Sequence, residues 1–151
     1  MSPQNPIAAE LVTPAMAARE NGKHYAGFKV GCIGYYEEPN DGSLCIFEGA
    51  NTKPDPLAKK DCAEMKVMRS AKCRHVTLRG LVVVGQPRAE DVTPTLHPCE
   101  ECRKLILQYV ASGEVIETST QITCINALTG EVEEFTVAEL FAAHGEPLSG
   151  D

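Results

Sequence analysis

The sequence predicts an α/β protein of three layers, in which a mixed five-stranded sheet carries helices on both faces. Three observations lead there. Strand-length apolar segments alternate with segments of helical period, giving the order α-β-β-α-β-α-β-β-α. The run "LVVV" inside 78–86 is apolar without a break, as in a strand buried on both sides. An Asp-Gly pair in "EEPNDG" (37–42) lies between two β-like segments and suggests a hairpin. With 151 residues, 43% hydrophobic and 23% charged, the chain is expected to form one domain over 1–151.

Residues 6 to 20 read as a helix, with Ile7, Leu11, Ala15 and Ala18 at three-to-four spacing and Pro14 expected to break or kink it. "FKVGCIGYY" (28–36) and "SLCIFEGAN" (43–51) are the hairpin strands, and "TKPDPLAKK" (52–60), with two prolines, is an extended loop. A helix follows from about Asp61, the expected N-cap with Glu64 at N3, to about Cys73. "LRGLVVVGQ" (78–86) is the buried strand and "PRAEDVTPTLH" (87–97) a loop. Pro98 is expected at N1 of the helix "CEECRKLILQYVAS" (99–112). Strands near 114–118 and 121–127 and a helix "TVAELFAAH" (136–144) complete the reading.

Composition excludes several classes. A net charge of −7 and 5% aromatic residues argue against nucleic acid as partner or substrate. Between Lys53 and Arg74, seven basic residues face three acidic ones, a local balance of +4 that reads in part as a solvated helix face. No apolar run approaches a bilayer span, and the first twenty residues lack a basic stretch followed by an apolar core. The expectation is a cytoplasmic protein whose seven cysteines are reduced, with no membrane partner.

The cysteines carry the chemistry. Cys99 and Cys102 form a C-x-x-C at a helix start, a pattern shared by zinc sites, redox pairs and inert thiols. The Glu-Glu between them disfavours a redox pair, because adjacent carboxylates raise a thiol pKa. Cys62 and Glu64 open another helix. Cys73 lies 11 positions after Cys62, about 16 Å along a continuous helix, too far to join the same ion. Cys32, Cys45 and Cys124 sit in strand-like apolar segments and read as core. Three thiolates with an open fourth position are a catalytic zinc arrangement. Zinc there lowers the pKa of a bound water, and Glu64 is placed to take its proton. His97 as a side-chain ligand is disfavoured, since three thiolates and water already fill a tetrahedron.

C-x-E followed by P-C-x-x-C resembles the signature of the zinc-dependent cytidine deaminase superfamily. "YAGFKVG" (25–31), "GAN" (49–51) and "TGEVEEFTVAEL" (129–140) extend the similarity to its small cytidine deaminases and blasticidin-S-deaminase relatives. The resemblance implies a cytidine-deaminase-like fold and one Zn2+ per subunit on Cys62, Cys99 and Cys102, with Glu64 as proton shuttle. It implies that the Ala63 backbone N–H meets the pyrimidine carbonyl, that Phe28 packs on the base and that Asn51 bonds the ribose. It also implies a homotetramer, or a homodimer, working on a small nucleoside in pyrimidine salvage.

Three positions depart from the family. Lys53 stands where a ribose-gripping glutamate is usual, so either the ribose is held differently or the substrate carries an anionic group there. "ELFAAHG" (139–145) lacks the usual terminal aromatic, which His144 is a candidate to replace. Met65 follows "CAE" in place of an arginine that tempers the thiolates, leaving Lys66 or Arg103 for that part. The expected reaction is hydrolytic deamination of cytidine, deoxycytidine or an analogue. The alternatives are another amino-heterocycle (a nucleotide, blasticidin S, a free base or purine) and, third, a non-catalytic zinc domain.

Overall fold

The computed structural model describes residues 2–148. Asn5 caps α1 (Pro6–Glu10) by accepting from the Ile7 and Ala8 N–H groups, and α2 (Val12–Arg19) follows after a break at Leu11. Pro14 explains the break. Its ring displaces the carbonyl four residues back, Glu10, which is where α1 stops.

The sheet is built from β2 (Gly31–Glu37), β3 (Leu44–Ala50), β5 (Gly80–Gly85), β6 (Gln121–Asn126) and β7 (Val132–Thr136), with a separate two-stranded pair of β1 (Lys23–His24) and β4 (Thr52–Lys53). The five strands lie in the order β3-β2-β5-β6-β7; β5 and β6 run parallel and every other pair antiparallel. This is the predicted mixed sheet, with one strand exchanged. Residues 114–118 are not a strand. Val115 adopts φ 64, and it and Ile116 are buried plugs in the core, which is why the segment reads as apolar. The fifth strand is β7, whose "VEEFT" hides a two-residue period. Glu133 points toward Thr95 and His97, and Glu134 accepts from the Gln4 and Asn5 N–H groups.

Alternation along the central strands divides the core. Ile33, Tyr35, Val82 and Val84 pack against α1 and α2. Cys32, Leu81, Val83, Ile122 and Cys124 pack with α3 (Ala63–Cys73), α4 (Glu100–Ser112) and α5 (Val137–Ala143) on the other side. The three-layer architecture is therefore as expected; Cys32 and Cys124 are core thiols, whereas Cys45, on the edge strand β3, is only partly buried. Gly49 lets the start of α3 lie directly on β3, since a Cβ there would stand 2.6 Å from the Ala63 carbonyl oxygen. None of the described helices is long and apolar enough to cross a membrane.

Candidate active site

Both cysteine-bearing helices begin later than the sequence suggests, α3 by one residue and α4 by two from the expected Pro98 N1. Cys62 caps α3 and Cys99 caps α4, each in extended backbone and without a side-chain capping bond. Asp61 is not the cap: its backbone bridges Thr52, and its carboxylate accepts from Arg69 at 2.8 Å. Pro98 lies before the α4 cap rather than inside the first turn, and Glu64 is the second helical residue. The unpaired N–H groups of two helix starts therefore surround the thiols, which favours negative charge there.

The Cys62 and Cys99 sulfurs lie 3.5 Å apart, as do those of Cys99 and Cys102. All three fall within 4.8 Å of one another, a group able to hold a metal ion. Tetrahedral zinc with Zn–S near 2.3 Å sets neighbouring sulfurs about 3.8 Å apart, so this donor set fits zinc in size and chemistry. Close contact with Cys102 and Cys62 draws the Cys99 thiol well below its ordinary range while Cys62 and Cys102 are raised, so the three sulfurs share their protons in the absence of a metal. Cys73 is exposed at the far end of α3.

Glu64 is 4% exposed beside this cluster. Burial, with the Cys99 charge adding to it, raises its carboxyl to about 7. A carboxylate poised near neutrality can both take and return a proton. It faces a cavity of about 340 Å³ lined also by Phe28, Asn51, Lys53, Ala63 and all but one of the thiols, Cys102. The sequence-predicted residues thus converge on one space. Ala63 is fully buried at the first position of α3, where its N–H has no partner within the helix.

Asn51 and Lys53 are tied to backbone. Asn51 Oδ1 accepts from Val30 N at 2.8 Å, and Nδ2 donates to the Phe28 carbonyl at 2.6 Å. Each atom retains one further hydrogen-bonding site. Lys53 Nζ donates to the Ala58 carbonyl at 3.0 Å while its side chain lines the cavity.

Several cavity residues escaped sequence reasoning. Arg88 lies over the Phe28 ring, 5.0 Å from its centre, and His24 meets that ring edge-on. Lys60 pairs with Glu101 at 3.1 Å; although burial opposes its charge, the Cys99 and Cys62 charges help raise its pKa. It takes the tempering part expected of Lys66 or Arg103. Those two are engaged elsewhere, Lys66 with Thr52 at 2.6 Å and Arg103 with the Pro98 carbonyl at 2.7 Å and Glu146. Met65 lies outside the cavity, in a shallow pocket with Lys59 and Arg69. His97 also lines the cavity, and His144 contacts its ring. The cationic loop residues 53–60 were the one available signal for Lys60; nothing local marks Arg88.

Comparison with known proteins agrees with this geometry. Residues 7–118 match the model of the cytidine and deoxycytidylate deaminase zinc-binding region. No protein among those with curated descriptions matches. Of solved structures, cytidine deaminase from Burkholderia pseudomallei is similar at 25% identity and TM-score 0.65, over 87% of this chain and 93% of that one. Cytidine deaminase from Mycobacterium leprae is similar at 25% identity and TM-score 0.55, over 85% and 91%. The Mycobacterium tuberculosis enzyme, at 19% identity and TM-score 0.54 over 84% and 87%, shares the fold. The chain belongs to the cytidine and deoxycytidylate deaminase zinc-binding family, and with it is a zinc-dependent hydrolytic deaminase of cytidine-like substrates.

Proposed function

We propose that the chain, as one domain over 1–151, converts cytidine or deoxycytidine to the uracil nucleoside with release of ammonia. The observation that carries this is a buried Glu64, raised to about 7, beside three convergent thiols in a cavity sized for one small ligand. Cys62, Cys99 and Cys102 would hold one zinc per subunit. Bound zinc supplies Lewis acidity, which brings water toward ionisation near neutral pH. Glu64 accepts the proton of the attacking water, delivers it to the ring nitrogen, and carries the next proton to the amine. A C–O bond forms, the C–N bond breaks, and ammonia leaves. Phe28, flanked by Arg88 and His24, packs against the base and excludes water. The Ala63 N–H meets the pyrimidine carbonyl, and the free sites on Asn51 meet the sugar.

A second reading is a substrate with an anionic group, such as a nucleotide. Lys53, Lys60 and Arg88 line the cavity of a protein whose net charge is −7, and Lys53 has a backbone carbonyl rather than a carboxylate for partner. The same cations weigh against cationic blasticidin S. A homotetramer or homodimer is the assembly that the family resemblance leads us to expect. A cytoplasmic role in pyrimidine salvage, without nucleic-acid or membrane partners, suits the acidic composition. The test is ammonia release from cytidine, deoxycytidine, their monophosphates, blasticidin S and aminopurines. Turnover of cytidine above its monophosphate supports the first reading. Turnover of only a non-cytosine compound contradicts both.

A further inference from the structure

His97 enters the cavity from the loop after β5, two residues before Cys99. Its side chain is 8% exposed, and both ring nitrogens are engaged within the protein. Nε2 lies 2.8 Å from Glu133 Oε1 on β7, and Nδ1 lies 3.0 Å from His144 Nε2 at the C-cap of α5. A carboxylate only accepts, so Nε2–H donates to Glu133; Nδ1 and His144 Nε2 share the second hydrogen bond, whose donor is set by the tautomer. Thr95 Oγ1 donates to the same Glu133 oxygen, and the Phe135 ring stands edge-on to His97 at 5.2 Å between centres. A ring held at both nitrogens and packed against Phe135 has little freedom to swing.

A second cavity of about 710 Å³ adjoins the first and shares Lys60, Arg88, His97 and Cys99 with it. His97 is the aromatic member of that shared boundary. Its anchors, Glu133 and His144, lie beyond residue 118, where the family match ends.

We propose that His97 is a specificity-determining wall of the deaminase cavity, held by Glu133 and His144 as positioning residues, which restricts the exocyclic nitrogen to an unsubstituted amine. The inference rests on the cytidine-type reading above. The amino-bearing carbon must lie against Glu64 and the thiols, and His97 borders that end next to Cys99. Bulk on the departing nitrogen is directed at the ring, and trimming the ring joins the two cavities. The chemistry is unchanged: C–O forms, C–N breaks, Glu64 supplies the proton, and the nitrogen leaves as ammonia or, from an N4-alkylated substrate, as the alkylamine.

The test follows uracil-nucleoside formation from cytidine, 5-methylcytidine and N4-methylcytidine. His97→Ala should raise kcat/KM for N4-methylcytidine relative to cytidine by about ten-fold or more, leaving the 5-methylcytidine ratio unchanged. Glu133→Ala and His144→Ala should shift it the same way, and they carry the test if His97→Ala does not fold. Glu133→Gln, which keeps an acceptor oxygen, should stay near wild type. In 15N-histidine NMR the His97 Nε2 proton should be protected from exchange in wild type and Glu133→Gln, and lose protection in Glu133→Ala. Unchanged ratios in the alanine variants, or an equal gain for 5-methylcytidine, overturn the proposal. A wild type that turns over none of the three defeats the cytidine reading instead; absence of the protected proton then overturns the anchoring separately, and its presence upholds it.

Discussion

At one end of the cavity three thiols and a carboxylate converge from two helix starts seated on the sheet. At the other, Asn51 and Lys53 lie on or beside the two-residue strand β4 and spend polar atoms on neighbouring backbone. The thiol end is held by core packing: Ala63, Val67 and Met68 are fully buried on α3, and Cys102 and Ile106 on α4. The Asn51–Lys53 end is held by hydrogen bonds to neighbouring backbone. On the proposed function, reaction type would then rest with the core-packed end and substrate choice with the loop-held end.

The largest effect should come from the rigid end. Glu64→Gln removes the proton carrier and should lower kcat by about 10² to 10⁴ while zinc content is unchanged, read by steady-state kinetics and metal analysis together. Normal kinetics would break the comparison, because the buried carboxylate would then have no chemical part.

The same carboxylate has a cost in the metal-free protein. Its pKa rises from 4.5 to about 7 on folding, so the folded state binds its proton more tightly. That stabilisation is complete below about pH 4.5 and is lost as pH rises through about 7. Chelator-treated wild type should therefore lose up to about 3 kcal/mol relative to Glu64→Gln across this interval. Parallel pH profiles for the two proteins would contradict the burial argument.

At the other end, Asn51→Ala removes two hydrogen bonds that hold the Phe28–Val30 backbone, and should destabilise by about 1–3 kcal/mol with a rise in KM. A rise in KM without a fall in Tm would mean that Asn51 only binds sugar. Lys53→Ala should leave Tm nearly unchanged and shift KM for cytidine by less than about ten-fold. A larger loss confined to cytidine monophosphate would favour the anionic substrate.

What the residues disclosed follows the same division. Cys62, Glu64, Cys99 and Cys102 were legible because metal chemistry demands those types at those spacings near helix starts, even though the α3 cap was misplaced by one residue and Pro98 was placed inside α4 rather than before its cap. The hairpin and the buried β5 were legible from local pattern. Strand β7 was not, because its two glutamates are satisfied by partners more than 30 positions away, at His97 and Asn5. Residues 114–118 misled for the converse reason: buried Val115 and Ile116 look like a strand yet plug the core from irregular backbone. Arg88 and His97 reach the cavity only through long-range packing, which no local pattern records.

Zinc content of freshly purified protein tests the central claim most directly, with wild type set beside Cys62→Ala, Cys99→Ala, Cys102→Ala and Cys73→Ala. One zinc per chain in wild type and Cys73→Ala, with marked loss in the other three, is the predicted result. A wild type without zinc, or a Cys73→Ala that loses it as readily as the others, would contradict the site.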